Sequence, residues 1–280
     1  MLSDRVIPET ILENLVFPEC PRWRNGELYF SDQHDSKVWV MNRTGKARLL
    51  VEVPGHPSGL GWLPDGSLLI VSMRDRRVLR QNLAVYADLS RIASGYLNDM
   101  IVDRDGRAYV GNFGFDLDGG EKPEPTALAM IENGAASIAA GDLWFPNGMV
   151  IVPGGKMLIV AETFAARLTA FDLDNGRLAN RRVFAGLPGL FPDGICLDAE
   201  GAVWVACAGA RKVVRVIEGG RITGEILLED RSAYACMLGG DDRRDLYLCT
   251  ARDHRPERTV PLRSGRIELA RVDVPGPGLP

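Results

Sequence analysis

The sequence predicts an all-β fold, a six-bladed β-propeller, because segments with the pattern of strand hairpins recur at a nearly constant interval. Successive segments begin 40, 39, 49, 46 and 43 residues apart, which is close to the period of propeller blades. The length of 280 residues suits a single domain over residues 1–280, since closed all-β folds exceed the usual single-domain length. Six head residues mark the starts of these units: Glu19, Gly59, Asn98, Asn147, Asp193 and Cys236.

Within most units, two apolar stretches are joined by a tight turn. The turns are Asp65-Gly66 in blade two, Asp105-Gly106 in blade three, Gly154-Gly155 in blade four and Glu200-Gly201 in blade five. Asp-Gly and Gly-Gly pairs between apolar runs indicate hairpins, because such turns require positive φ. Two outer strands follow, such as residues 168–171 and 182–184 of blade four. We therefore expect four strands in each blade.

Composition and charge exclude several classes of protein. No apolar run is long enough to cross a membrane, and the start Met1 to Arg5 lacks the pattern of a signal peptide, so we expect a cytoplasmic protein. The net charge is −4 and no long basic run is present, which argues against a nucleic-acid partner. We expect a small-molecule substrate, no membrane partner, and a monomer or weak homo-oligomer.

Cysteine and histidine usage argues against a disulfide framework and against a zinc site. The five cysteines are odd in number and most lie in strand patterns, which fits reduced, packed thiols. No two cysteines have C-x-x-C spacing, and His34, His56 and His254 are far apart. A Cys/His zinc site is therefore not expected.

Four of the heads carry side-chain oxygen atoms and occupy the same place in their repeats: Glu19, Asn98, Asn147 and Asp193. A closed ring of blades would bring them together in the central channel. Two carboxylates and two amide oxygens suit a hard cation, which takes oxygen ligands and leaves positions for water or substrate. Ca²⁺ is the first choice, and Mg²⁺, Mn²⁺ or Zn²⁺ are alternatives.

Topology predicts which loops surround this metal site. If each head begins the innermost strand at one face, the loop between the second and third strands returns to that face. The longest such loop, Phe113 to Pro125, is expected to form a lid, since long loops in compact domains are usually functional; a disordered excursion is the alternative. Glu121 in this loop is a predicted substrate contact. The last residues, Pro275 to Pro280, have the composition of a flexible tail.

The heads and two later motifs resemble the senescence marker protein/gluconolactonase (regucalcin-like) family. The motifs are Glu19, Asn98-Asp99, Asn147-Gly148, Asp193-Gly194, the segment 236–241 and the segment 246–251. The resemblance spans nearly the whole chain and implies a six-bladed propeller with a divalent metal in the channel, and lactone hydrolysis. It implies that Glu19, Asn147 and Asp193 are metal ligands and that Asn98 is a ligand or a substrate contact. The family order also implies that Thr10 to Leu15 forms the outer strand of the last blade.

The sequence departs from this family at three places. Sugar lactonases of the family commonly carry an arginine two residues before the Asn98 position, where this chain has Tyr96, a predicted substrate contact. Cys20 replaces the usual glycine after the first glutamate, and we interpret it as a packed thiol. The stretch Ala161 to Phe164 resembles strictosidine synthase-like propellers.

The implied metal leads to a mechanistic hypothesis. A divalent cation would polarise the lactone carbonyl and stabilise the oxyanion. Asp193 is the first choice for general base and Asp99 the second, although Asp99 could instead only hold Asn98 in place. His56 is expected at the pocket wall. Ser58 does not lie in a nucleophile elbow, so serine chemistry is not predicted.

Two alternatives to the lactonase remain open. The first is a metal-dependent propeller hydrolase of another ester or a phosphotriester, since paraoxonases and diisopropylfluorophosphatase have a similar metal-site plan. The second is a non-catalytic propeller in which calcium has a structural role.

Overall fold

A computed structural model describes residues 7–278 of the chain, and within them the predicted propeller is confirmed. The first strand, β1 (Glu9–Leu15), joins the last blade. Blade one comprises β2 (Pro18–Arg24), β3 (Glu27–Asp32), β4 (Lys37–Asn42) and β5 (Ala47–Glu52). Blade two comprises β6 (Pro57–Trp62), β7 (Leu68–Ser72), β8 (Arg77–Arg80) and β9 (Val85–Asp88). Blade three comprises β10 (Leu97–Val102), β11 (Ala108–Asn112), β12 (Thr126–Glu132) and β13 (Ala135–Leu143).

The remaining blades follow the same plan. Blade four comprises β14 (Pro146–Ile151), β15 (Met157–Glu162), β16 (Arg167–Asp174) and β17 (Arg177–Gly186). Blade five comprises β18 (Phe191–Leu197), β19 (Val203–Ala208), β20 (Lys212–Val216) and β21 (Ile222–Leu227). Blade six comprises β22 (Ser232–Gly239), β23 (Asp245–Ala251) and β24 (Gly265–Arg271), with β1 as its fourth strand. A short helix, α1 (Pro256–Leu262), lies between β23 and β24, and two 3-10 turns cover Gln33–Asp35 and Thr163–Ala165.

The six sheets close into a ring through their innermost strands. Each of β2, β6, β10, β14, β18 and β22 contacts the innermost strand of both neighbouring blades. The pairing of β1 with β24, which runs antiparallel from Glu9 opposite Leu269 to Leu15 opposite Gly265, closes the ring as expected. Because the first and last parts of the chain share one sheet, β1 covers the outer edge of β24 and joins the two ends of the chain in blade six.

Glycines after the heads allow this close approach of neighbouring blades. A Cβ atom at Gly148 would lie 2.5 Å from the Ile195 amide nitrogen, and one at Gly59 would lie 2.3 Å from that of Met100. At the same place in blade one, Cys20 adopts a φ of 49° and is buried. Its thiol lies 3.4 Å from the Ser58 hydroxyl, which agrees with the prediction of a packed thiol.

The strand pairing shows that the heads of blades two and six are different residues from those predicted. In blades three, four and five the head directly follows the pair that precedes an irregularity between the first two strands, and in blade one Glu19 itself belongs to the last pair before it. Pro57 pairs with Ser72 in blade two, and Ala233 pairs with Thr250 in blade six. The equivalent heads are therefore Ser58 and Tyr234, and the predictions of Gly59 and Cys236 were wrong. The spacing of apolar residues alone does not locate the irregularity. The predicted heads were therefore displaced by one residue in blade two and by two residues in blade six.

The prediction of a flexible C-terminal tail was also wrong for its described part. The Pro275 carbonyl accepts a hydrogen bond from the Ala199 amide at 2.8 Å, and the Gly276 amide donates to the Arg243 carbonyl at 2.7 Å. Residues 276–278 lie against the innermost strands at the channel end opposite the heads, where they contact a small cavity that Arg22 also lines. Leu279 and Pro280 lie outside the described residues. No helix among residues 7–278 is long and apolar enough to span a membrane.

Candidate active site and metal centre

The four oxygen-bearing heads line one cavity of about 510 Å³ at the mouth of the central channel. Glu19, Asn98, Asn147 and Asp193 lie near the starts of β2, β10, β14 and β18, and each is only 6–8% exposed. They come together because each is the second or third residue of an innermost strand, and the innermost strands surround the channel. The volume lies within the usual range for small-molecule pockets.

Burial strongly perturbs the two carboxylates of this set. It raises the pKa of Glu19 well above its usual value, and the nearby Asp193 charge raises it further. The pKa of Asp193 rises to about 8, mainly through burial, although the Asn147 amide and the Gly194 N–H oppose the shift. Among the contacts of the described residues, only the Cys20 N–H donates to Glu19, at 3.0 Å. Two buried carboxylates with so few donors are expensive to keep ionised unless a cation accompanies them.

Arg22 is the nearest buried cation, but Asp99 already engages it. The guanidinium donates to the Asp99 carboxylate at 2.7 Å and to the Met100 and Pro21 carbonyls at 2.7 and 2.9 Å. Asp99 is 3% exposed and does not line the cavity. Its carboxylate pairs with Arg22 instead of facing the cavity, and the second-choice role as general base stays a prediction. The alternative role of holding the head strand in place agrees with these contacts.

The donor set fits a divalent cation. Arg22 is paired with Asp99, so in their ionised forms Glu19 and Asp193 would add two negative charges that the contacts of residues 7–278 do not neutralise. Amide oxygens of Asn98 and Asn147 lie in the same cavity, and this mixture of ligands suits Ca²⁺ or another hard cation. Within residues 7–278, no three His, Cys, Asp or Glu side chains cluster as metal ligands, since half of this set are amides.

The Asn147 amide is held in position by the Thr163 hydroxyl. Its nitrogen donates to the Thr163 hydroxyl at 3.2 Å, and that hydroxyl donates to the Pro192 carbonyl at 2.8 Å. With the nitrogen turned toward Thr163, the amide oxygen is free to act as a ligand. This chain of contacts links blades four and five beside Asp193. Sequence reasoning missed Thr163, which follows a strand as an ordinary turn residue would.

Two histidines lie on another side of the cavity. His34 donates or accepts a hydrogen bond with the Thr259 hydroxyl of α1 at 2.7 Å and stacks on Phe17 at 4.7 Å. Burial lowers its pKa to about 3, and the neighbouring His56 and Arg74 charges add to this. The pKa of His56 is also lowered, mainly by burial. Both rings are therefore neutral near pH 7, and His56 lines the cavity as the sequence predicted.

The predicted entrance loops do reach this face. Besides the heads, the cavity is lined by residues from the segments 33–34, 73–74, 163–164, 208–209 and 254–257. In the predicted lid, Phe113, Leu117 and Asp118 line the cavity, and the loop is ordered by a hydrogen bond from the Gly119 amide to the Asp116 carboxylate at 2.9 Å.

Glu121, in contrast, lies outside the cavity lining. Its side chain is exposed, and its carboxylate accepts a hydrogen bond from the Asp116 amide at 2.8 Å. The carboxylate is engaged within its own loop instead of lining the cavity, and the predicted substrate contact stays a prediction. The lid reaches the cavity through Leu117 and Asp118 instead.

The residue two positions before each head forms a largely aromatic rim. Phe17, His56, Tyr96, Phe145 and Phe191 hold this position in blades one to five, and all of them line the cavity. The repeat therefore supplies both the floor and the wall of the pocket. Aligning the heads would have been enough to find this rim from the sequence, although His56 needed the corrected register of blade two.

Comparison with known proteins identifies the family. The family model described as the SMP-30/Gluconolactonase/LRE-like region matches residues 17–252. The chain belongs to this family. A 6-deoxy-6-sulfogluconolactonase of Pseudomonas putida is 27% identical over 276 residues, which cover 93% of each chain. Regucalcin of Oryctolagus cuniculus is 30% identical over 266 residues, which cover 86% of this chain and 85% of regucalcin.

Solved structures of similar proteins share the fold. The calcium-binding protein regucalcin of Agrobacterium tumefaciens superposes with a TM-score of 0.83 at 19% identity, covering 99% of this chain and 97% of that one. A gluconolactonase of Xanthomonas campestris gives a TM-score of 0.74 at 22% identity, with 95% and 89% covered. For this member of the SMP-30/gluconolactonase family, these likenesses support the propeller architecture.

Proposed function

We propose that the protein is a lactonase, a carboxylic ester hydrolase that opens a cyclic ester with the help of a divalent cation, most simply Ca²⁺. The observation that carries the proposal is the pair of buried carboxylates, Glu19 and Asp193, at the floor of an accessible pocket, while the buried Arg22 is already paired with Asp99. Membership of the family and the sulfogluconolactonase relative support the reaction class, and the regucalcin relatives support a metal ion.

Four side chains would hold the cation in this scheme: Glu19, Asn98, Asn147 and Asp193. When bound, the cation would polarise the lactone carbonyl and stabilise the negative charge that develops on its oxygen. Asn98 donates only a long 3.5 Å hydrogen bond to the Pro146 carbonyl, so its amide can also turn toward substrate.

Asp193 is the proposed general base. Its carboxylate accepts a proton from the attacking water while the water oxygen bonds to the carbonyl carbon, and the ring C–O bond then breaks. The same proton can pass to the departing ring oxygen, which leaves a hydroxy acid. The neutral ring of His56 and the side chain of Tyr96 flank the cavity and would orient the substrate.

The deciding experiment measures hydrolysis of five- and six-membered lactones, aryl esters and a phosphotriester. The protein is first stripped with a chelator and then given Ca²⁺, Zn²⁺, Mn²⁺ or Mg²⁺. Lactone turnover that returns only with metal supports the proposal. Turnover of esters or the phosphotriester alone would favour the broader hydrolase, and tight metal binding without any turnover would favour a calcium-binding propeller.

A further inference from the structure

Four phenylalanines form a continuous surface along one side of the cavity, and we call this surface the aromatic wall. It consists of Phe113, Phe145, Phe164 and Phe191, all of which line the cavity. Phe113 stacks on Phe145 with ring centroids 4.4 Å apart, Phe145 meets Phe164 edge-on at 5.3 Å, and Phe164 meets Phe191 at 6.3 Å. The wall crosses blades three to five.

The wall leaves apolar surface facing the cavity although it is braced from behind. Phe191 is 49% exposed, while Phe115 is only 4% exposed and contacts both Phe145 and Phe164, at 5.9 and 5.4 Å. Phe145 at the centre is only 6% exposed, so the accessible surface of the wall is that of Phe191 and of the partly buried Phe113 and Phe164. Braced rings with accessible surface are characteristic of apolar binding sites.

Backbone conformation gives a second observation. Phe145 has a φ of 57°, which is uncommon for a bulky residue and is a strained backbone conformation. This conformation holds its ring at the centre of the wall, between Phe113 and Phe164. Strained residues of this kind are concentrated at binding sites.

Several polar side chains of the cavity already have partners. Gln33 donates to the Ser58 hydroxyl at 3.0 Å, Thr163 donates to the Pro192 carbonyl at 2.8 Å, and Arg255 pairs with Asp253 at 3.2 Å. A substrate with many hydroxyl groups would bury some of them against aromatic rings without partners, which costs free energy for each unpaired group.

We propose that the preferred substrate is a lactone whose ring carries an aryl or alkyl arm, and that this arm lies on the aromatic wall while the ester group faces Asp193. The inference rests on the proposed lactonase function and adds the substrate class. An enzyme that prefers polyhydroxylated lactones would have a different substrate class.

The test compares γ-lactones that bear hydrogen, methyl, butyl or phenyl at the carbon next to the ring oxygen, together with glucono-δ-lactone. We expect kcat/KM to rise severalfold with each larger arm and to be lowest for the gluconolactone, because apolar groups in such pockets contribute about tenfold or more. Equal rates across the series, or a preference for gluconolactone, would overturn the inference.

Variants of the wall connect this preference to the structure. Phe164→Ala should lower kcat/KM for the phenyl lactone about tenfold, and this loss should be severalfold larger than the loss on the unsubstituted lactone. Phe191→Ala, at a half-exposed position that tolerates truncation, should act in the same direction. Ile138→Ala is the matched control, since Ile138 is 64% exposed on an outer strand away from the cavity. Equal losses on both lactones would contradict a role of the wall in binding the arm.

A binding measurement separates this inference from the lactonase function. An unreactive cyclic ether with the same phenyl arm is titrated into the protein by calorimetry. If no lactone is hydrolysed but the ether binds and Phe164→Ala weakens this binding about tenfold, the lactonase proposal fails and the apolar-arm site stands. Absence of ether binding, or binding that Phe164→Ala leaves unchanged, overturns the site.

Discussion

Replacing Arg22 with methionine should destabilise the protein strongly, because it leaves the Asp99 carboxylate buried without a cation. The two side chains are only 6% and 4% exposed and lie 2.7 Å apart. Removing one member of a buried ion pair costs about 3–5 kcal/mol in the free energy of unfolding. Arg22 also donates to the Met100 and Pro21 carbonyls, which would lose their partner, so we expect the upper part of this range.

The assay is urea unfolding followed by tryptophan fluorescence, for the wild type, Arg22→Met, Asp99→Leu and the double variant. The double variant should recover at least about half of the loss, because a buried ion pair can often be replaced by apolar groups at little cost. A loss below about 1 kcal/mol in Arg22→Met, or strictly additive losses in the double variant, would refute the reasoning. The same series tests the assignment of Asp99, since a positioning residue should affect stability more than kcat.

Four further predictions concern single residues. Asp193→Asn should abolish lactone hydrolysis while circular dichroism and the melting temperature stay close to wild type; retained turnover would exclude Asp193 as the base. Glu19→Gln should weaken Ca²⁺ binding on the order of tenfold or more, measured by calorimetry, because affinity follows the charge of the ligands; unchanged affinity would remove Glu19 from the ligand set. Tyr96→Arg, which restores the residue common in related sugar lactonases, should raise the ratio of gluconolactone to phenyl-lactone hydrolysis, and a constant ratio would show that this position does not select substrate. Burial raises the pKa of Asp32 to about 6, so the folded state binds more protons than the unfolded state between pH 4 and 6. The contribution of Asp32 to the free energy of unfolding should therefore fall on the order of 3 kcal/mol as pH rises through that window. Asp32→Asn should flatten this part of the plot of unfolding free energy against pH, and an unaltered plot would contradict the shift.

Local pattern was enough to predict the blades. Asp65-Gly66 and Asp105-Gly106 each join two apolar strands, and turns of this kind depend on φ preferences of the residues themselves. The repeat interval then placed Glu19, Asn98 and Asn147 at one end of the ring. These inferences hold because hairpins form between segments that are close in sequence.

Contacts between blades could not be predicted in this way. Asp99 lies next to a head in sequence and looked available for catalysis, yet its partner Arg22 is 77 residues away. The Glu121 carboxylate accepts a hydrogen bond from the Asp116 backbone amide of the same loop. In both cases the side-chain direction depends on neighbours that periodicity does not specify.

The sequence by itself determined the propeller, its six units and the four oxygen-bearing heads, because strand periodicity and turn chemistry act over a few residues. Only the tertiary structure decided the register of blades two and six, the engagement of Arg22 by Asp99, the course of residues 275–278 and the aromatic wall. Those features arise where separate blades pack together, and packing depends on shapes and hydrogen-bond partners that lie far apart along the chain.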